Sequence, residues 1–134
     1  MLTITKEFSL HAAHRLHLPD RSAEENLRIY GNCARLHGHT YTLQVTLAGR
    51  PDETGMLLHF DRLKQIVRRE ILDRYDHADL SELAEYRDRP ATAENMAEHI
   101  FTTLDRALTS DRYHLHQITV YETPTAWATR TRHA

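Results

Sequence analysis

The stretch Cys33-Ala34-Arg35-Leu36-His37-Gly38-His39 combines the only cysteine of the chain with a His-x-His pair. From His37 onward, every second residue to Leu47 is histidine or apolar, whereas the residues between them are mostly threonine. This alternation is typical of a half-buried β-strand, in which residues two apart point to the same face. The sequence therefore predicts a strand over residues 37–48, with both imidazoles at one end of one face.

The His37 and His39 pair is a candidate metal site. Neutral imidazole nitrogen is a good ligand for zinc, and a catalytic zinc keeps three protein ligands and one open position. The residues alone leave the third ligand open, and they also allow that both histidines are ordinary polar residues at the start of a strand. The candidates for a third ligand are His11, His14, His17, His114 and His116.

Composition narrows the class of protein. The 134 residues suit one domain, residues 1–134, with its own core. The 17 basic and 19 acidic residues are interspersed, so we expect no nucleic-acid partner, and the 11 histidines favour metal or acid–base chemistry. No apolar run approaches the roughly 18 residues of a membrane span, and the first residues do not read as a signal peptide. With a single cysteine, these features predict a cytoplasmic protein that binds no membrane.

Hydrophobic periodicity predicts the remaining elements. Strands are expected over residues 2–11, 56–60 and 115–123, and the second of these forms a hairpin with residues 37–48. In the last strand, Leu115 falls on the face opposite Ile118. Apolar stripes predict two amphipathic helices, one beginning near residue 60 and one capped by Thr92, and residues 21–32 are expected to form a loop with one helical turn.

The element order indicates an α+β fold, a four-stranded antiparallel sheet with two helices on one face. The other face is rich in threonine, which fits either exposure to solvent or the lumen of a barrel that several subunits close by joining their sheet edges. The residues of this face are Thr3, Thr5, Ser9, Thr40, Thr42, Gln44, Thr46, Gln117 and Thr119.

Four further residues are candidates for chemistry. Three roles are open for Cys33: a metal ligand, a buried small residue, or a thiolate that acts as base or nucleophile. Asp76 and His77 place a carboxylate next to an imidazole, although the same pair suits a polar helix end. Glu122 shares the apolar face of Val120, so it requires a partner unless the strand has reached solvent there.

Six short motifs, taken in order, resemble the family of the 6-pyruvoyl-tetrahydropterin synthases and the bacterial 6-carboxy-tetrahydropterin synthases. The resemblance covers nearly the whole chain, and the order of the motifs is more specific than any one of them. The motifs are Phe8-Ser9-Leu10-His11-Ala12-Ala13-His14-Arg15-Leu16, Cys33-Ala34-Arg35-Leu36-His37-Gly38-His39, Gly55-Met56 before Phe60 and Leu63-Lys64, Asp76-His77, Thr92-Ala93-Glu94-Asn95, and Tyr121-Glu122-Thr123.

The resemblance implies a cofactor and a set of roles. Zn²⁺ would be held by His14, His37 and His39, and Cys33 would be the thiolate base and not a ligand. It also implies that Asp76 and His77 form the proton-transfer pair, that Glu122 anchors the amino-pyrimidine edge of the pterin, and that Thr92 contacts the pterin. These residues are His14, His37, His39, Cys33, Asp76, His77, Glu122 and Thr92.

The resemblance further implies a substrate and an assembly. The family acts on 7,8-dihydroneopterin triphosphate and has the tunnelling fold, in which trimers close a barrel and pair into hexamers with sites at subunit interfaces. A barrel lumen would then explain the threonine-rich face. We therefore expect a zinc-dependent lyase that is a homo-hexamer, a dimer of trimers.

The residues that bear on the reaction product resemble two different groups of the family. The segment Ser22-Ala23-Glu24-Glu25-Asn26-Leu27 resembles the pyruvoyl-forming members, whereas the short Cys33-to-His37 spacing and Glu122-Thr123-Pro124-Thr125 resemble the carboxy-forming ones. The latter release acetaldehyde and triphosphate and feed deazapurine synthesis of the queuosine type. We expect the carboxy product, with the pyruvoyl product as the alternative. Departures from the family at His59, Tyr75 and Ser81-Glu82 concern packing and loops, so they bear on the product more than on the zinc ligands.

A hypothesis of another class also fits these residues. Cys33 would then be a fourth ligand that closes a structural zinc site, and the chain would be a non-catalytic zinc-stabilised binding module.

Overall fold

Four antiparallel strands form one sheet in the computed structural model, which describes residues 1–133. The strands lie side by side in chain order. They are β1 (Leu2–His14), β2 (His37–Gly49), β3 (Tyr113–Thr123) and β4 (Ala126–Thr131).

Three α-helices and several short turns connect the strands. They are α1 (Ala23–Tyr30), α2 (Phe60–Val67) and α3 (Ala93–Ala107). A π-helical turn, Arg68–Leu72, and a last helical turn, Asp73–Tyr75, extend α2. Not one helix among residues 1–133 has the length and apolar character to cross a membrane.

The core lies between α2, α3 and one face of the sheet. Alternate residues of β2 point into it, and Tyr41, Leu43 and Val45 are almost completely buried. The opposite face carries hydrogen-bonded threonine pairs across neighbouring strands, such as Thr5 with Thr46 at 2.7 Å. The α+β fold predicted from the sequence, with a four-stranded antiparallel sheet and helices, is therefore confirmed.

The prediction of a strand over residues 56–60 was wrong. Arg112 donates from its guanidinium to the carbonyl oxygens of Arg50, Met56 and Leu57 at 3.0–3.3 Å. These bonds satisfy carbonyls that a sheet ladder would otherwise pair, so the segment runs irregularly into α2. The side chain of His59 then caps α2 by accepting from the N–H of Asp61 at 3.0 Å.

The fourth strand is instead β4, which the sequence analysis did not predict. A two-residue turn at Pro124 and Thr125 reverses the chain, and β4 pairs with β3 as an edge strand. Proline breaks a strand pattern, which hid the alternation that begins again after it.

The face predicted for Leu115 was also wrong. The pairing of β2 with β3 shifts by one residue, because Thr46 faces Gln117 whereas Leu47 faces Leu115. A β-bulge of this kind leaves one residue extra, here His116, and reverses the parity on its far side. Leu115 therefore points into the core, where it is fully buried.

Residues 21–32 contain more helix than expected. Ser22 caps α1 by accepting from the N–H of Glu25 at 3.1 Å, and Glu25 lies three residues after the cap, which is the spacing of a capping box. The buried Asn26 exchanges hydrogen bonds with the backbone of Leu18 at 2.7 and 3.1 Å. These bonds stabilise a helix with little apolar periodicity, which is why hydrophobic patterning did not show it.

Glu85 links the last turn of α2 to α3. Both carboxylate oxygens accept from the guanidinium of Arg74, at 2.9 and 2.6 Å, and His99 of α3 lies 3.6 Å away. The hydrogen bonds from Arg74 lower the pKa of Glu85 to about 2. A carboxyl with a lowered folded-state pKa contributes stability above its unfolded pKa and loses it as the pH falls toward the folded value.

We therefore expect Glu85→Gln to lower the free energy of unfolding at pH 7 by about 1–2 kcal/mol, a value discounted because Arg74 is half exposed. At pH 3 the difference from wild type should fall by about half or more. Urea unfolding at the two pH values measures this, with Glu82→Gln, an exposed glutamate of the same segment, as the control. An equal loss of stability at both pH values would contradict the assignment.

Candidate metal centre

The pairing of β1 with β2 brings three histidines together. His14 at the end of β1 lies directly opposite His37 at the start of β2, and His39 follows two residues later on the same face. One ligand atom from each imidazole lies within 4.8 Å of the other two. The structure thus brings together the three residues that the resemblance selected, and they could hold a metal ion.

Two of the imidazoles are oriented by backbone carbonyls. Nδ1 of His14 donates to the carbonyl of Ala91 at 2.8 Å, and Nδ1 of His37 donates to the carbonyl of Arg35 at 2.7 Å. A carbonyl oxygen has no proton, so Nδ1 carries the hydrogen and Nε2 presents its lone pair. Ligating histidines are oriented in this way in most metal sites.

The buried nitrogens of the cluster fit a metal ion. Nε2 of His14 and Nε2 of His39 are buried, and neither has a hydrogen-bond partner among residues 1–133. Burial lowers the pKa of His14 and also that of His39, which favours the neutral ring that coordinates metals. A buried polar atom without a partner is costly, and a bound cation removes this cost.

Glu122 lies against the same cluster. Its Oε1 is 3.5 Å from Nε2 of His14 and 3.7 Å from Nε2 of His39. The side chain remains about one-third exposed, so the carboxylate lies between the histidines and solvent. It is therefore placed to contact both a metal ion and a ligand that enters from solvent.

Thr92 begins α3 beside the cluster. Its hydroxyl accepts from the N–H of Asn95 at 3.1 Å, which caps the helix. The residue before it, Ala91, supplies the carbonyl that orients His14. The start of α3 therefore positions one of the three clustered histidines, whereas contact of Thr92 with a pterin stays a prediction.

Cys33 lies on a 3₁₀ turn, Gly31–Ala34, shortly before β2, and its thiol is exposed. Its carbonyl accepts from the N–H of Leu16 at 2.7 Å, which holds the turn beside the residues that follow His14. Among residues 1–133, the group of close ligand atoms contains the three histidines and does not include this thiol. An exposed thiol is accessible to a substrate, and its role as base stays a prediction.

Asp76 and His77 form a pair despite being adjacent. His77 has a left-handed backbone, with φ of 63°, and its Nδ1 lies 3.1 Å from the carboxylate of Asp76. Asp76 also accepts from the backbone N–H of His11 at 2.8 Å, which lowers its pKa, so it remains ionised at neutral pH. An ionised carboxylate beside an imidazole is an arrangement suited to proton transfer.

This pair lies on the other face of the sheet from the histidine cluster. The ring of His77 is 5.7 Å from that of His11, and His11 contacts the hydroxyl of Thr40 at 3.0 Å. His11 and Thr40 alternate with the inward-facing residues of β1 and β2, so they point away from the core. Within one chain, the three-histidine cluster and the Asp76–His77 pair are therefore separate.

The remaining candidate ligands lie outside the cluster. His11 is on the opposite face, and His17 follows β1 without joining the three clustered imidazoles. His114 pairs with Ala48, near the end of β2 that is remote from His37.

Two contributors to the cluster were missed in the sequence. The carbonyl of Ala91 carries no sequence signal, because any residue offers one. Tyr41 is fully buried, and its hydroxyl lies 3.2 Å from Nδ1 of His14. Its place on the face of His37 and His39, two residues after the second histidine, was a signal that could have indicated this contact.

Comparison with known proteins agrees with this arrangement. Residues 3–133 match the model of the 6-pyruvoyl tetrahydropterin synthase family. A 6-pyruvoyl tetrahydrobiopterin synthase of Drosophila melanogaster is 36% identical over 125 residues, which cover 90% of this chain and 74% of that protein. A 6-carboxy-5,6,7,8-tetrahydropterin synthase of Haemophilus influenzae is 32% identical in an alignment that covers 95% of this chain and 96% of that protein.

A solved structure extends the comparison to the fold. The 6-pyruvoyl tetrahydropterin synthase of Caenorhabditis elegans superposes with a TM-score of 0.89 at 31% identity, over 98% of this chain and 96% of that one. The chain belongs to the 6-pyruvoyl tetrahydropterin synthase family.

Replacement of Cys33 and replacement of His37 should have different effects on metal binding. Because the cluster consists of three histidines, we expect Cys33→Ala to retain the metal and His37→Ala to lose it. Metal content after dialysis, measured by atomic emission, compares the two variants with wild type, and His116→Ala is the control for loss of a histidine on the same sheet. Loss of metal from Cys33→Ala would instead support the closed structural site of a non-catalytic module.

Proposed function

We propose that this protein converts 7,8-dihydroneopterin triphosphate and one water molecule to 6-carboxy-5,6,7,8-tetrahydropterin, acetaldehyde and triphosphate. The observation that carries the proposal is the cluster of His14, His37 and His39, with unpartnered Nε2 atoms beside Glu122. Membership of the family supports it independently. The carboxy product would serve deazapurine synthesis of the queuosine type, in the cytoplasm.

Zinc is the metal that we propose for the cluster. Three neutral imidazoles with an open position suit a catalytic zinc site. When bound, zinc supplies Lewis-acid assistance to the side-chain hydroxyls of the substrate. Glu122 is proposed to accept hydrogen bonds from the N–H groups of the amino-pyrimidine edge, and its partial exposure next to two of the histidines supports this role.

Proton transfer is assigned to Cys33, Asp76 and His77. The exposed thiol of Cys33 is proposed to remove a proton from the substrate side chain as a thiolate. Asp76 orients the imidazole of His77 through the 3.1 Å contact, so that His77 can give or take a proton while triphosphate departs. Thr92 is proposed to contact the pterin from the start of α3.

Assembly into a homo-hexamer belongs to the same proposal. The histidine cluster and the Asp76–His77 pair lie on opposite faces of one sheet, and this supports a site shared between two chains. The edges of β1 and β4 lack strand partners within residues 1–133, and edges of this kind can join between subunits. We propose that neighbouring chains close a barrel lined by the threonine-rich face, and that one chain's pair meets another chain's cluster.

The pyruvoyl product is the second candidate. It is favoured by the slightly higher identity to the Drosophila protein, whereas the short spacing of Cys33 and His37 favours the carboxy product. Both reactions start from the same substrate and differ in whether the side chain loses carbon as acetaldehyde.

The experiment is incubation of the purified zinc-loaded protein with 7,8-dihydroneopterin triphosphate, followed by mass spectrometry of the pterin and an assay for acetaldehyde. We expect 6-carboxy-5,6,7,8-tetrahydropterin and an equal amount of acetaldehyde. A 6-pyruvoyl product without acetaldehyde would select the second candidate. Unchanged substrate would contradict both reactions.

A further inference from the structure

The hydroxyl of Tyr41 lies behind the three-histidine cluster, against the Nδ1 side of His14. It is 3.2 Å from Nδ1 of His14, and the Tyr41 side chain is completely buried. The phenol ring also packs edge-on against two of the imidazoles, with centroids 6.0 Å from His14 and 5.5 Å from His39. From this geometry, and on the basis of the metal centre proposed above, we infer that Tyr41 is a positioning residue that holds the His14 ring in its metal-binding orientation.

The direction of the hydrogen bond follows from counting protons. Nδ1 of His14 lies 2.8 Å from the carbonyl of Ala91, so it carries a hydrogen. A nitrogen that carries a hydrogen has no lone pair in the ring plane, and it does not accept from the Tyr41 hydroxyl. The Tyr41 oxygen therefore accepts the second branch of a bifurcated hydrogen bond from the same N–H. The Ala91 carbonyl, which can only accept, selects the form of His14 whose Nε2 is free for a metal, and the Tyr41 oxygen fixes the tilt of that ring.

The contact is also the only hydrogen bond that the Tyr41 hydroxyl makes among residues 1–133. A buried hydroxyl without a partner costs about 1–3 kcal/mol, so phenylalanine would be preferred here if the oxygen had no role. Tyr41 is rigidly placed, because it lies on β2 on the same face as His37 and His39. The strand that supplies two ligands thus also orients the third, which comes from β1.

Tyr41 is the part of this arrangement that mutation can remove, since the other acceptor is a backbone carbonyl. Removal of the hydroxyl leaves the ring, the strand and the Ala91 contact in place. What is lost is one of the two contacts at Nδ1 that fix the tilt of the His14 ring. Groups that orient metal ligands typically contribute about 10–100-fold to metal affinity.

The test compares Tyr41→Phe with Tyr75→Phe. Tyr75 is equally buried, but its hydroxyl bonds to that of Tyr86 at 2.8 Å and contacts none of the three histidines. We expect Tyr41→Phe to bind zinc about tenfold more weakly in competition with a chromophoric chelator. Tyr75→Phe should bind zinc as wild type does. The visible absorption of Co²⁺ bound in place of zinc should change only in Tyr41→Phe, because it reports the ligand geometry.

Equal zinc affinity and an unchanged Co²⁺ spectrum in Tyr41→Phe would overturn the inference. If this variant did not fold, nitrogen-15 NMR of the His14 ring in the wild-type protein would decide instead, and a proton on Nε2 in place of Nδ1 would overturn it. Failure of the wild-type protein itself to bind zinc would contradict the proposed metal centre. Zinc binding without turnover would contradict the proposed reaction and leave the role of Tyr41 intact.

Discussion

The alignment of β1 on β2 is the constraint on which the rest of the site depends. It places His14 directly across from His37, although the two are far apart in the chain. A shift of the register by one residue would turn every side chain of a strand to the other face of the sheet. Such a shift would separate the histidines and would also expose the core residues to solvent. Burial of Leu10, Tyr41 and Leu43 therefore stabilises the same register that forms the cluster.

The two faces of the sheet carry different groups of candidate site residues. The helix-covered face holds three imidazoles and Glu122, and burial there lowers the pKa of His14 and that of His39, which favours their neutral form. The threonine-rich face holds the Asp76–His77 pair, which β1 fixes through the backbone of His11. This division is the basis of the proposal that the complete site is formed by two copies of the chain joined at the open sheet edges.

Sequence patterns predicted the structural elements that depend on local periodicity. The period-two alternation after His37 predicted β2 and its two histidines, whereas spacing alone did not select His14, because that choice requires the register between strands. Contacts from distant parts of the chain were beyond local patterns. Arg112, which removes residues 56–60 from the sheet, and Ala91, which orients His14, act across more than fifty residues of sequence.

The proposed metal centre consists of three histidines that leave one coordination position open. Crystals of the zinc-loaded protein, with anomalous scattering recorded at the zinc absorption edge, test it most directly. We predict one zinc ion with Nε2 of His14, His37 and His39 at about 2.0–2.1 Å, and no sulfur ligand. A zinc ion that is also bound by Sγ of Cys33 at about 2.3 Å, or no zinc at the cluster, would contradict the account.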